Sequence, residues 1–257
     1  MCMEIDLDFN RKIKYLFLDE KSYTGSMKQM SYLDMVKTLL PLEEFLEFEK
    51  SYIKPVRKSI KILTEKKETT RQQLEQDGRI LTPPNFSRKG KPYDDVLFVE
   101  KDDKQSLGSH PLHAEGGFYV QEMSAGLSAQ MLDIQSGDLV LDICAAPGGK
   151  SIQLADKLGE QGLLISNELN PARRKALEAN LERCGIWNSI ITGYDGKLFG
   201  SLLHEQCDKV LLDVPCSGEG MQYKSDFKVY RWEEKHIKKI AQTQKDLLLS
   251  GLAALKI

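Results

Sequence analysis

A chain of 257 residues with 41% hydrophobic and 29% charged content can bury a real core, which excludes a disordered or collagen-like polymer. No apolar run reaches the roughly 18 residues of a membrane-spanning helix, and the acidic start MCMEIDLDFN lacks the apolar stretch of a secretory leader. The net charge of −2 hides an asymmetry: residues 50–91 carry twelve Lys/Arg against four Asp/Glu, a local +8, so the remainder carries −10.

That basic stripe reads either as an electrostatic footprint for nucleic acid or as a solvated face. The length suits a main domain with a smaller appendage. Residues 1–26 show no clear pattern and are expected to form an N-terminal extension. From Met27 to Ile53 apolar residues (Met30, Leu33, Val36, Leu39 and Leu40, then Leu42, Phe45, Leu46 and Phe48) recur at three- and four-residue steps. Pro41 divides them, which predicts two helices. "SIKIL" at 59–63 alternates apolar and polar residues and suggests a short strand. A helix is expected near 65–76, ended by Asp77-Gly78. "LTPPNFSRKGKPYDD", with three prolines and a glycine, has loop composition, and Val96–Val99 reads as the next strand. The segment closing in "HAEGGFYVQEMSAGLSAQML" becomes helical by period in its last part.

From Asp138 the element types alternate strictly. "DLVLDI" is a strand and "GGKSIQLADKLG" a helix; "GLLISNE" is a strand and "PARRKALEANLERCG" a helix, with proline at its first turn and glycine after its last. "SIIT" and "DKVLLDV" are further strands. Between Glu233 and Ile257, Ile237, Ile240, Ala241, Leu247, Leu248, Leu252 and Leu255 fall on one helical stripe. This order predicts an α/β domain with a parallel, doubly wound sheet and helices on both faces.

Such sheets bind ligands at the carboxyl ends of their strands, near the switch point. The loop after the first strand is "DICAAPGGKS". Its paired glycines allow close backbone approach and a sharp entry into a helix whose free amides can hold an anion. A P-loop would need glycine where Cys144 stands, and the dinucleotide fingerprint needs spaced glycines, so both fail. A purely structural turn stays open. Glu168 follows the second strand, where a carboxylate can meet ribose hydroxyls; Asp195 follows the third, in "TGYDG"; Asp213 and Cys216 follow the fourth. Any one of these acids alone is more often a cap or turn residue.

The cysteines (Cys2, Cys144, Cys184, Cys207, Cys216) are scattered and odd in number, with no C-x-x-C pair. No metal site or disulfide framework is expected, and the chain reads as cytoplasmic with reduced thiols. "MQYKSDFKVYRWEEKHIKK" interleaves basic residues with Tyr223, Phe227, Tyr230 and Trp232. These suit phosphates and unpaired bases, or they anchor the loop to the sheet.

Taken together, "VLDICAAPGGKS", "SNELN", "YDG", "LLDVPCSGEG" and "IAQTQKDLL" resemble the S-adenosylmethionine-dependent RNA (cytosine-5)-methyltransferases of the NOP/Sun family, in particular its bacterial small-subunit ribosomal RNA methyltransferase F group. "LEEFLEFEKSYIKPVRKSIKIL" is similar to that family's N-terminal RNA-binding region, and "LGSHPLHAEGGFYVQEMSA" to its junction with the catalytic domain. The resemblance implies a class I methyltransferase (Rossmann-like) domain at 115–257 behind a small α/β RNA-binding region at 27–114. It also implies S-adenosyl-L-methionine as cofactor and methylation of carbon 5 of cytosine in RNA, ribosomal RNA foremost, with transfer RNA the alternative.

By the same resemblance Cys144, Ala145, Ala146, Pro147, Gly148, Gly149 and Lys150 form the cofactor loop. Glu168 holds the ribose hydroxyls, Asp195 lies near the adenine, Asp213 lies between methyl donor and cytosine, and Cys216 assists product release. In that family a thiolate from a later Thr-Cys-Ser/Thr motif attacks carbon 6 of the unstacked base. This sequence departs there: it has no such motif and closes at "LLLSGLAALKI". The departure predicts a sheet short of its last strands, an open edge on the fourth strand, and little turnover. A non-catalytic RNA- or cofactor-binding remnant is the rival reading.

Overall fold

The computed structural model describes residues 32–52, 57–85, 87–88, 91–92, 95–100, 106–218 and 234–257. The expected extension at 1–26, Cys2, and the aromatics Tyr223, Phe227, Tyr230 and Trp232 lie outside the described residues. Among the described residues no helix is long and apolar enough to cross a membrane.

Helices α1 (Tyr32–Leu39) and α2 (Leu42–Tyr52) part at Pro41, whose ring cannot continue a helix. Then come β1 (Ser59–Ile62), a 3-10 turn (Thr64–Lys66) running into α3 (Lys67–Gln76), and β2 (Ile80–Thr82). The short pair β3 (Ser87–Arg88) and β4 (Lys91–Pro92), β5 (Val96–Glu100), α4 (Pro111–Ala114) and β6 (Phe118–Val120) complete this part. Four of these strands form an antiparallel sheet in the order β2-β5-β1-β6. Leu74 of α3 packs with Ile60, Ile62, Leu97 and Phe118 on one face.

One expectation for this part differs from the structure. "LTPPNFSRKGKPYDD" is not all loop, because β2 runs into it and Ser87–Arg88 pairs with Lys91–Pro92. Pro92 is tolerated in a two-residue ribbon, where no further strand needs its missing N–H. All four residues of β1 are buried, Lys61 included, whose side chain reaches Asp156. β6 lies past residue 114 and still pairs with β1, from Ile60↔Val120 to Ile62↔Phe118.

The second part holds α5 (Met123–Met131), β7 (Leu139–Asp142), α6 (Gly149–Leu158), β8 (Leu163–Asn167) and α7 (Pro171–Arg183). It continues through β9 (Ser189–Thr192), α8 (Phe199–Leu202), β10 (Lys209–Leu211) and α9 (Glu234–Ala254). Its sheet is parallel throughout, in the order β10-β7-β8-β9. Neighbouring residues of β7 point to opposite faces, as strand geometry requires. Val140 meets Ala129, Leu154 and Leu158 of α5 and α6, while Leu141 meets Phe199, Leu247 and Ala254 of α8 and α9. Both faces are therefore covered, and the strand order reverses between β7 and β10.

β10 is shorter than "DKVLLDV" suggested, ending at Leu211. Among the described residues its ladder is with β7 alone, which leaves its other edge open as expected, but the chain just before it is paired. Cys207 N–H donates to Ala254 O at 2.9 Å, Lys256 N–H donates to Cys207 O at 2.9 Å, and Leu255 bridges Cys207 in parallel. The chain leaving α9 runs alongside Cys207 and satisfies both of its backbone groups.

The two parts share a tight seam. Leu63 joins Ala145, Ala146, Ile152 and Leu177 in one apolar cluster. Lys61 Nζ donates to Asp156 Oδ2 of α6 at 2.6 Å, and that carboxylate also accepts the Thr64 N–H and hydroxyl. Gly116 has φ +69°, and a Cβ there would lie 1.9 Å from Arg183 O, so only glycine fits.

Candidate functional site

The loop after β7 crosses the switch point and enters α6 through Gly148, which has φ +111°. A side chain there would be strained. Gly149 is required for a different reason: a Cβ would sit 2.8 Å from Tyr119 Cε1 and 3.1 Å from Gln121 Nε2. The loop is thus closed in by α7 on one side and by the segment from β6 on the other. Its path is pinned by backbone and side-chain bonds. Ala145 N–H donates to Asn167 O at 2.8 Å, Asn180 Nδ2 to Pro147 O at 2.9 Å, and Arg173 Nη2 to Ala146 O at 2.6 Å.

Four acids stand at the strand ends. Asp142 is 1% exposed; its Oδ2 accepts the Ser151 hydroxyl at 2.8 Å, and its Oδ1 has no hydrogen-bond partner. Burial, with the Asp213 charge, pushes its carboxyl up to about 7, against the pull of the Ser151 bond, the Lys150 charge and the nearby Cys144 amide. Glu168 is 5% exposed, and its Oε1 accepts the Asn170 N–H at 2.9 Å. Its Oε2 makes no hydrogen bond, although Arg173 Nη1 stands 3.1 Å away. The distance admits an ion pair; the angle does not admit a bond.

Asp213 is exposed and accepts from Lys150 Nζ at 2.5 Å, so the pair ties the glycine loop to the loop after β10. Asp195 is exposed and accepts the Lys197 N–H at 3.1 Å, capping a 3-10 turn at Gly196–Leu198. Its bland alternative, a cap, is realised in the structure.

Asn167 holds these ends in register. Its Nδ2 donates to Ile143 O at 3.1 Å and Tyr194 O at 3.0 Å, and its Oδ1 accepts from Thr192 Oγ1 and Tyr194 N–H, both at 2.9 Å. A Cβ at Gly196 would come within 2.5 Å of Ile143 Cγ2, which places the Asp195 turn against the end of β7.

Cys144 reports on the whole rim. Burial, then Asp142, Glu168 and Asp213, push its thiol up to about 12, with Arg173 opposing. The Lys150–Asp213 pair and the Arg173 contacts to Ala146 O and Glu168 tie the loop that carries Cys144 to the ends of β8 and β10. A thiol at about 12 is not a nucleophile near neutrality. Cys216 is exposed, and the preceding Pro215 carbonyl accepts from Gln244 Nε2 of α9 at 2.8 Å. Cys184 and Cys207 are buried among apolar side chains.

Asp142, Asn167, Arg173 and Arg174 were not singled out from the sequence. Two of them, Asp142 and Asn167, end parallel strands, and that position was the available signal. The chemistry open to this rim is the binding of a ligand that has donors, a negative end for the α6 amides and a positive centre facing the acids.

The model of the family 16S rRNA methyltransferase RsmB/F matches residues 129–257. The chain is 39% identical over 232 residues to a ribosomal RNA small subunit methyltransferase F of Vibrio campbellii, covering 88% of this chain and 47% of that protein. It thus spans about half the length of the curated relatives it matches. Among solved structures, a methyltransferase homolog protein from Pyrococcus horikoshii aligns with TM-score 0.69 at 26% identity, covering 83% of this chain and 66% of that one. NSun6 from Pyrococcus horikoshii with SFG aligns with TM-score 0.68 over 87% of this chain and 79% of that one; at 21% identity it bears on the fold alone.

Proposed function

Because the chain belongs to the 16S rRNA methyltransferase RsmB/F family, we propose that it forms the cofactor-binding and base-facing part of an RNA (cytosine-5)-methyltransferase acting on ribosomal RNA. The observation that carries this reading is the Lys150–Asp213 pair, which draws the glycine loop and the Pro-Cys loop together across the switch point.

The residues present fit S-adenosylmethionine. Two buried carboxylate oxygens, Asp142 Oδ1 and Glu168 Oε2, have acceptor capacity to spare. The amides opening α6 suit a carboxylate, and the acids around Cys144 suit a cation. When bound, the cofactor supplies an electrophilic methyl group. Loop residues 144–150 would wrap it, Glu168 would accept from the ribose hydroxyls, and Asp195 would stand at the adenine end.

Asp213, paired with Lys150, presents the proton they share to the cytosine ring nitrogen as negative charge builds there. Cys216 stands three residues further on and assists release of the methylated base. Carbon 5 becomes nucleophilic once a thiolate adds to carbon 6, and the thiolate leaves as carbon 5 loses its proton. Cys144, with its thiol at about 12, does not perform that addition; in the family's chemistry a Thr-Cys thiol does. The RNA is held through the basic sequence stretch at 50–91, of which buried Lys61 is not a part that phosphates can reach.

The test is methyl transfer from labelled S-adenosylmethionine to ribosomal RNA, by this chain and by one extended through a Thr-Cys segment. Both are expected to bind cofactor. The extended chain transfers, and Asp213→Asn in it lowers the rate by about a hundredfold. Full transfer by the Asp213→Asn chain overturns the role given to that acid, and absence of cofactor binding overturns the reading.

A further inference from the structure

Two arginines open α7, in the turn where free amides make the helix end positive and a cation is disfavoured. Both side chains turn back to Glu168. Arg173 Nη1 stands 3.1 Å from Glu168 Oε2, and Arg173 Nη2 donates to Ala146 O at 2.6 Å. Arg174 Nη1 donates to Glu168 O at 2.9 Å, and its guanidinium lies over Gly193, where a Cβ would come within 2.2 Å of it. Capping of the helix falls to Asn170, whose Oδ1 accepts from the Ala172 and Arg173 amides at 2.9 and 3.3 Å.

Glu168 is therefore held at three points. Oε1 is committed to the Asn170 amide, the main-chain carbonyl to Arg174, and Oε2 faces Arg173 without a hydrogen bond. Arg173 is the piece that joins this acid to the cofactor loop, since its fork reaches Glu168 and Ala146 together. A planar guanidinium can serve two acceptors at fixed spacing; an ammonium cannot hold both in the same way.

We propose that Arg173 is a positioning residue: it aims Oε2 of Glu168 at the ribose hydroxyls of the cofactor and locks that aim to the loop at Ala146. Selectivity for a ribose over a deoxyribose cofactor then depends on Arg173, although Arg173 touches Glu168 and not the sugar. The inference rests on the assignment of Glu168 made above.

The experiment measures, by calorimetry on the 257-residue chain, the affinity for S-adenosylhomocysteine and for its 2′-deoxy analogue. The wild type is expected to prefer the ribose form by about tenfold or more, the worth of one charge-assisted hydrogen bond. Arg173→Met is expected to weaken both ligands, because the loop at Ala146 is released, and in addition to lose most of the preference for the ribose form. Glu168→Gln should lose the same preference, and the double variant should be no worse than either single one.

A merely structural arginine would weaken both ligands equally and leave the preference intact, which overturns the proposal. Wild-type protein that binds neither ligand overturns the cofactor reading itself. Wild-type binding with equal affinity for the two overturns the Glu168 assignment, and the inference with it. Should Arg173→Met melt early, Arg173→Lys keeps the charge with a single head group; a wild-type preference in that variant overturns the proposed two-point grip.

Discussion

Lys61 in the first sheet and Asp142 in the second are both almost wholly buried strand residues, yet their charges are settled differently. Lys61 lies between Asp95 and Asp156, and Asp156 is further satisfied by Thr64. Asp142 has one oxygen bonded to Ser151 and the other without a hydrogen bond; Glu168 at the next strand end also has one oxygen without a hydrogen bond, although the Arg173 charge stands 3.1 Å from it. A buried charge with its partners in place belongs to the architecture. A buried carboxylate with spare acceptor capacity carries a standing cost, which a ligand's donors can remove. The contrast separates the seam between the two parts from the rim above the parallel sheet.

The comparison can be pressed hardest at Lys61. Lys61→Met removes the cation and leaves two carboxylates facing each other at the seam, so a loss of about 3–5 kcal/mol is expected in urea unfolding. A loss below about 1 kcal/mol would show that the triad is not what holds the seam.

Next is Asp142. Its folded pKa, about 7, lies above the 3.8 of a free carboxyl, so the folded state binds the proton more tightly. This contribution to stability is full below the unfolded value and is lost as pH rises through about 7. Between about pH 4 and about pH 8 it amounts to at most about 4 kcal/mol. Asp142→Asn keeps the shape and the Ser151 bond and removes the charge, so the slope of stability across that window should flatten. An unchanged slope would remove the burial argument.

The smallest effect concerns reactivity. With its thiol at about 12, Cys144 should react with iodoacetamide at pH 8 at least tenfold slower than free cysteine, while exposed Cys216 is modified readily. Equal labelling, read by peptide mass spectrometry, would contradict the burial of this thiol beside the acids of the strand ends.

Periodicity and punctuation alone determined the alternation of strands and long helices from Asp138 onward and the break at Pro41, but not the 3-10 turn at Gly196–Leu198, α8, or the end of β10 at Leu211. They do so because a residue's local pattern records which face of its own strand or helix it occupies, and because glycine and proline act on the backbone where they sit. Tertiary structure decided the rest. It set the burial of Lys61 against a carboxylate 95 residues away, the pairing of β6 with β1, and the hold of Asn167 on three strand ends. It also turned Arg173 toward Glu168 rather than toward water. These are contacts between groups distant in the chain, and no local pattern encodes which buried charge will find its partner and which will be left to meet a ligand.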